Sequence, residues 1–171
     1  NYFANFKVIE KEESLYYKGN KVDNKYLVVK CEVVEDFYKV GNFITDDVIF
    51  RRVRHCITEN QRALDAVKAL TQNDLITLGK LLYESHESLK TDYEVTGLEL
   101  DTLIEAAKKQ DGCIGARMTG AGFGGCAIAI VEKSKIDDFI ENVQSEYTKI
   151  VGYNGAFFSC KSGDGVKEII L

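Results

Sequence analysis

The stretch Arg117-Met-Thr-Gly-Ala-Gly-Phe-Gly-Gly-Cys-Ala-Ile-Ala-Ile-Val131 places four glycines in six residues, Gly120 to Gly125, ahead of an unbroken run of small and β-branched residues. Glycine reaches positive φ without steric cost and lets backbone approach another group closely. The apolar run behind it has the character of a buried strand. The segment therefore reads as a loop anchored to a sheet, and such a loop serves as the wall of a site.

Gly120, Gly122 and Gly125 formally satisfy G-x-G-x-x-G. A dinucleotide site, however, needs a strand before the glycines and a helix directly after them, so that phosphates meet the helix N-terminus. Here the order is wrong: Cys126 to Val131 reads as a strand, and the next helical pattern opens only near Ser134. A tight connection between two strands would need positive φ and nothing else, but four glycines exceed what a two-residue hairpin requires. The excess favours a ligand-facing loop.

Around this segment the chain changes period. A long helix is expected from about Thr45, taken as N-cap, with Phe50, Val53, Ile57, Leu64 and Val67 forming one apolar face. Thr71 to Asp74 carries the next cap signal, followed by a core stripe of Leu75, Leu78, Leu82, Ser85 and Leu89. A third helix spans Leu98 to Lys109 and closes at Asp111-Gly112. Strands are expected at Cys113 to Thr119, Cys126 to Val131 and Ala156 to Lys161, with a fourth helix from Ser134 to about Ile150 between the last two. Upstream, Lys18-Gly-Asn20 reads as a turn and Lys25 to Val34 as a strand. Helices first and β-β-α-β afterwards imply an α+β domain, its helices stacked on one face of a small, mostly antiparallel sheet.

At 171 residues, 45% hydrophobic and 29% charged, the chain suits one globular domain. Its longest apolar run falls short of a membrane span, and no secretory signal is visible. A net charge of −5 argues against a broad nucleic-acid surface, which needs clustered Lys and Arg. The one basic cluster, Arg51, Arg52 and Arg54, has Asp46 and Asp47 nearby and reads as a salt-bridged helix face. Five cysteines without C-x-x-C spacing suggest neither a disulfide framework nor a zinc site, and fit a reducing compartment. His55 and His86, the two histidines, lack a nucleophile nearby in sequence and read as structural. Asp92 and Glu94 are spaced to point apart along a helix end, which suits capping and inter-helix bonding rather than acid/base work.

Met118-Thr-Gly-Ala-Gly-Phe-Gly-Gly-Cys126 closely resembles the third conserved motif of the galactokinase, homoserine kinase, mevalonate kinase and phosphomevalonate kinase superfamily, in its galactokinase form. Arg51-Arg-Val-Arg-His55 with Glu59-Asn-Gln-Arg-Ala-Leu64, and Glu84-Ser-His-Glu-Ser-Leu-Lys-Thr-Asp-Tyr-Glu-Val-Thr96 with Glu99-Leu-Asp-Thr-Leu103, resemble the helical C-terminal half of galactokinases in the same order. The resemblance divides the chain into a poorly matched segment, residues 1–34, and a galactokinase-like C-terminal domain, residues 35–171. Tyr26 does not stand in the Tyr-x-x-Arg context of the family's sugar-contacting tyrosine.

The resemblance implies transfer of the ATP γ-phosphoryl group to the C1 hydroxyl of galactose, with Mg²⁺ bridging phosphates. It also implies that Thr119, Gly120, Ala121, Gly122, Phe123, Gly124 and Gly125 lie beside sugar and nucleotide. The family's phosphate loop and catalytic Arg and Asp belong to an N-terminal half and have no counterpart here, so no catalytic residue and no metal ligand is expected in these residues. The expected partners are that N-terminal kinase domain, galactose and ATP, without nucleic acid or membrane, in the cytoplasm. A non-catalytic galactose sensor or an interaction module on the same frame would carry the same motifs.

Overall fold

The computed structural model describes residues 15–17, 20–22 and 44–161. Two short strands, β1 (Leu15–Tyr17) and β2 (Asn20–Val22), pair antiparallel. The strand expected at 25–34 lies outside the described residues, as do Lys18 and Gly19 of the turn expected at Lys18-Gly-Asn20, whose last residue opens β2.

Four helices and a second antiparallel pair make up the rest: α1 (Asp47–Thr71), α2 (Leu75–Ser88), a π-helical turn (Leu89–Tyr93), α3 (Leu98–Lys108), β3 (Cys113–Thr119), β4 (Cys126–Val131), a 3₁₀ turn (Lys133–Lys135) and α4 (Ile136–Val151). The α+β class holds, with the helices packed against a two-stranded antiparallel sheet. β3 and β4 run in register from Thr119↔Cys126 to Gly115↔Ile130, with an irregularity between Cys113 and Gly115.

Helix starts follow side-chain caps. Asp46, one residue beyond the expected Thr45, caps α1 by accepting from the Ile49 N–H at 3.0 Å, and Asp74 does the same for α2 with Thr77 at 3.0 Å. The core beneath the sheet gathers Ile104, Ala106, Ala107, Ala116, Phe139 and Val143. A second cluster, Leu89, Leu100 and Met118, lies where α3 and the π-helical turn meet β3. Glycine sets the closest approach. A Cβ on Gly79 of α2 would fall 1.9 Å from the Ile114 carbonyl oxygen, and one on Gly115 of β3 would fall 2.5 Å from the Gly79 Cα, so helix and strand meet backbone to backbone.

Three sequence expectations need correction. Residues 156–161 carry no strand; Phe157 packs against the core while Phe158 stays exposed, so the segment follows the domain surface without joining the ladder. On α1, Leu64 and Val67 are exposed. The inward face is instead His55, Glu59, Arg62, Ala66 and Ala69, at helical spacings of 4, 3, 4 and 3 residues; His55 and Glu59 bond to Ser88 and Ser85 on other elements, and Arg62 bonds to Glu59 and Thr58 on α1 itself. Leu75, expected in the α2 core stripe, is exposed in the first turn, whereas Leu78, Ser85 and Leu89 are buried.

Candidate functional site

The glycine loop closes the β3–β4 hairpin at one end of the sheet, after the pair Thr119↔Cys126. Its conformation is left-handed at four positions: Gly120 (φ 80°), Gly122 (φ 88°), Phe123 (φ 57°) and Gly124 (φ 91°). The glycines answer to different constraints. Cβ atoms on Gly120 and Gly124 would meet nothing within 4 Å, so backbone conformation alone demands glycine there and the space around them is open. A Cβ on Gly122 would sit 1.9 Å from the Val95 carbonyl oxygen. That carbonyl accepts the Phe123 N–H at 2.8 Å, tethering the loop to the segment that follows the π-helical turn. The Phe123 side chain is 78% exposed, a large apolar group held at the loop tip rather than in the core.

The strand leading into the loop is fixed at two further points. Arg117 donates to Glu59 Oε1 on α1 at 3.0 Å and to the Met118 carbonyl oxygen at 2.9 Å. Burial alone would raise the Glu59 carboxyl, but bonds from Ser85 (2.5 Å) and Arg62 (2.8 Å), with the nearby Arg62 and Arg117 charges, hold it below its ordinary value. Met118 donates its backbone N–H to His86 Nδ1 at 3.3 Å. That bond keeps the imidazole neutral with its proton on Nε2, which lies 3.4 Å from Asp101 Oδ1. Burial lowers the His86 pKa, as this arrangement requires.

The second polar cluster stands behind the tether. Arg54 pairs with Asp92 through Nε at 3.1 Å and through its terminal nitrogen, Ser88 donates to Asp92 Oδ2 at 3.2 Å, and His55 Nδ1 shares a hydrogen bond with Ser88 Oγ at 3.0 Å. Arg51 and Arg52 both reach Glu94, at 2.8 and 2.5 Å. Arg51, Arg52 and Arg54 of α1 thus bind the π-helical turn and its C-terminal Glu94, and Arg51 also pairs with Asp47, at 3.1 Å. His55 stacks on Tyr93 with ring centroids 4.7 Å apart. Asp92 and both histidines are engaged in links between elements, the structural role expected of them.

The seven loop residues singled out from sequence are therefore contiguous at one end of the hairpin, with exposed backbone at Gly120, Ala121, Gly124 and Gly125 and a half-buried Thr119. Sequence reasoning missed Val95, whose carbonyl fixes the loop, and Gly79 with Gly115, whose contact fixes the strand. The only signal for Val95 was its place in a matching block, and the two isolated glycines were the only signal for the contact. Among the described residues, no group of three or more His, Cys, Asp or Glu converges as a metal site. Nor is any described helix long and apolar enough to cross a membrane.

Residues 66–149 match the family model described as GHMP kinases C terminal. The chain is 51% identical to a galactokinase of Clostridium beijerinckii over 135 residues, 79% of this chain and 35% of that protein. With a galactokinase of Lactiplantibacillus plantarum it shares 49% identity over 161 residues, 94% of this chain and 41% of that protein. Among solved structures it is similar to the crystal structure of Lactococcus lactis galactokinase complexed with galactose, with a TM-score of 0.72 and 50% identity, covering 73% of this chain and 32% of that one. The chain thus spans 35% and 41% of the length of these two curated relatives.

Proposed function

We propose, from the premise that this chain contains a GHMP kinases C-terminal domain, that it works as the C-terminal portion of a sugar kinase transferring the γ-phosphoryl group of ATP to the C1 hydroxyl of galactose. The observation that carries this reading is about 50% identity to galactokinases across most of the chain, joined to a fold similar to that of a galactokinase complexed with galactose. In this reading residues 35–171 form the galactokinase-like unit, which acts in the cytoplasm with an N-terminal kinase domain as its partner.

Thr119 to Gly125 then form one wall of the cleft. Phosphoryl transfer depends on positioning and on stabilising charge at the phosphoryl oxygens. A loop with open space around Gly120 and Gly124 fits that task, because main chain can come up to a phosphate or sugar without a Cβ intervening. Thr119 can contribute a hydroxyl, and Phe123 an apolar surface that excludes water. The loop encloses and orients; it holds no side chain able to act as general base. ATP with Mg²⁺ supplies the transferable group, and its phosphate loop, metal ligands and catalytic Arg and Asp are assigned to the N-terminal half.

The test is a coupled assay with Mg-ATP, with and without galactose, on the 171-residue chain and on the same chain joined to a galactokinase N-terminal half. We expect galactose-dependent turnover only in the joined protein. Turnover by the 171-residue chain alone would overturn the division of labour, and a folded, joined protein that binds galactose without turnover would favour a sensor.

A further inference from the structure

We propose that Glu94, held by Arg51 and Arg52, is a positioning residue for the glycine loop, setting where Phe123 and Gly124 stand against the reacting groups. The inference rests on the reading of the loop as a wall of the kinase cleft. It is carried by a chain of contacts that begins at Arg51 and Arg52 on α1, passes through Glu94 and Val95, and ends on the loop at Phe123.

The π-helical turn Leu89–Tyr93 ends on Glu94 in the left-handed conformation (φ 58°, ψ 46°), its N–H returning to the Leu89 carbonyl oxygen. The same carbonyl accepts from Val95 N at 3.1 Å. A non-glycine residue in this region is uncommon and persists where its surroundings hold it. Here the hold comes from α1. Arg52 binds the Asp92 carbonyl oxygen and Glu94 Oε2, and Arg51 binds the Thr91 carbonyl oxygen at 2.9 Å and Glu94 Oε1. Two guanidinium groups therefore bracket the backbone of the turn and both oxygens of its terminal carboxylate, the geometry that suits Arg rather than Lys.

The reversal at Glu94 delivers the next residue to the loop. The Val95 carbonyl accepts the Phe123 N–H at 2.8 Å and occupies the space a Gly122 Cβ would need. The Val95 side chain packs against the buried Leu89, Leu100 and Met118 cluster, so the carbonyl cannot shift without disturbing the core beneath β3. None of Arg51, Arg52 or Glu94 belongs to the loop, and the bonds recorded for them run to Asp47, to one another and to the turn. Their placement makes sense as a brace for Val95.

The test is Glu94→Asn in the joined kinase. Asn tolerates the left-handed conformation but is too short to span both arginines, so it removes the bracket without adding backbone strain. Arg52→Lys is the companion variant, keeping charge while losing the fork. We expect Glu94→Asn to lower kcat by about tenfold or more while KM for ATP moves less than about twofold, the signature of misplacement rather than lost binding. Hydrogen exchange of the Phe123 amide should accelerate by about tenfold or more, and Arg52→Lys should show the same changes in smaller measure. Unchanged Phe123 protection in either folded variant overturns the inference, as does lost protection with kcat retained. A folded wild-type joined protein without galactose-dependent turnover overturns instead the kinase reading on which it rests, and the exchange measurement separates the two failures.

Discussion

At the scale of single residues, the site depends on atoms that side-chain chemistry would not single out. Gly122 lacks a Cβ where the Val95 carbonyl oxygen stands, so Gly122→Val in the joined kinase should lower kcat sharply, by about a hundredfold, with the folded state verified by circular dichroism. His86 and His55 both have pKa values lowered by burial. The unfolded chain then binds more protons than the folded one just below the ordinary histidine value of 6.5. Stability should be full above that value and fall as pH drops through and below it. Urea midpoints measured between about pH 7.5 and about pH 5.5 should decline, and His86→Gln should flatten the decline; carboxylates held low by partners, such as Glu59, act only in a more acidic range. Cys113 shares a hydrogen bond with Tyr83 at 3.4 Å, and burial raises its thiol above its ordinary value. It should therefore react with a thiol reagent more slowly than the exposed Cys56 and Cys126 under mildly alkaline conditions, as mass spectrometry of the labelled sites would read.

Elements show where local rules stop. Gly79 lies mid-helix, where alanine would by propensity stabilise α2 by about 1 kcal/mol. The contact with Ile114 reverses the sign: Gly79→Ala should destabilise by about 1–3 kcal/mol or more in urea unfolding, because the strand backbone must move. Leu100, fully buried, should cost about 2–5 kcal/mol on truncation to Ala. Both strands of the hairpin were legible, because glycine stands on each side of Cys113–Thr119 and directly ahead of the apolar run Cys126–Val131, and the end of α3 was legible to within a residue from Asp111-Gly112. The inward face of α1 was not. Its periodicity is carried by His55, Glu59 and Arg62: burial of His55 becomes affordable with Ser88, that of Glu59 with Ser85 and Arg117 on other elements, and Arg62 pairs with Glu59. The π-helical turn was also hidden, since nothing in Leu-Lys-Thr-Asp-Tyr announces an extra residue per turn, and its hold comes from α1. The loop residues stood out for the opposite reason: glycine density is a local signal, though what the loop touches is not.

Seen whole, the domain presents its glycine hairpin at one end and steadies it from three directions: α1 through Glu59 and Arg117, α2 through His86 and Met118, and the segment after the π-helical turn through Val95 and Phe123. These supports come from segments that precede the hairpin in the chain. The contact of Gly79 with Gly115 adds a consequence of its own. Where two backbones touch, no rotamer can be exchanged and no methylene trimmed to alter the gap, so the height of β3 above α2 behaves as a datum rather than a variable. Any retuning of such a site toward another sugar would have to be written beyond that point, in Thr119 to Gly125 and whatever faces them, while the platform beneath keeps its dimensions.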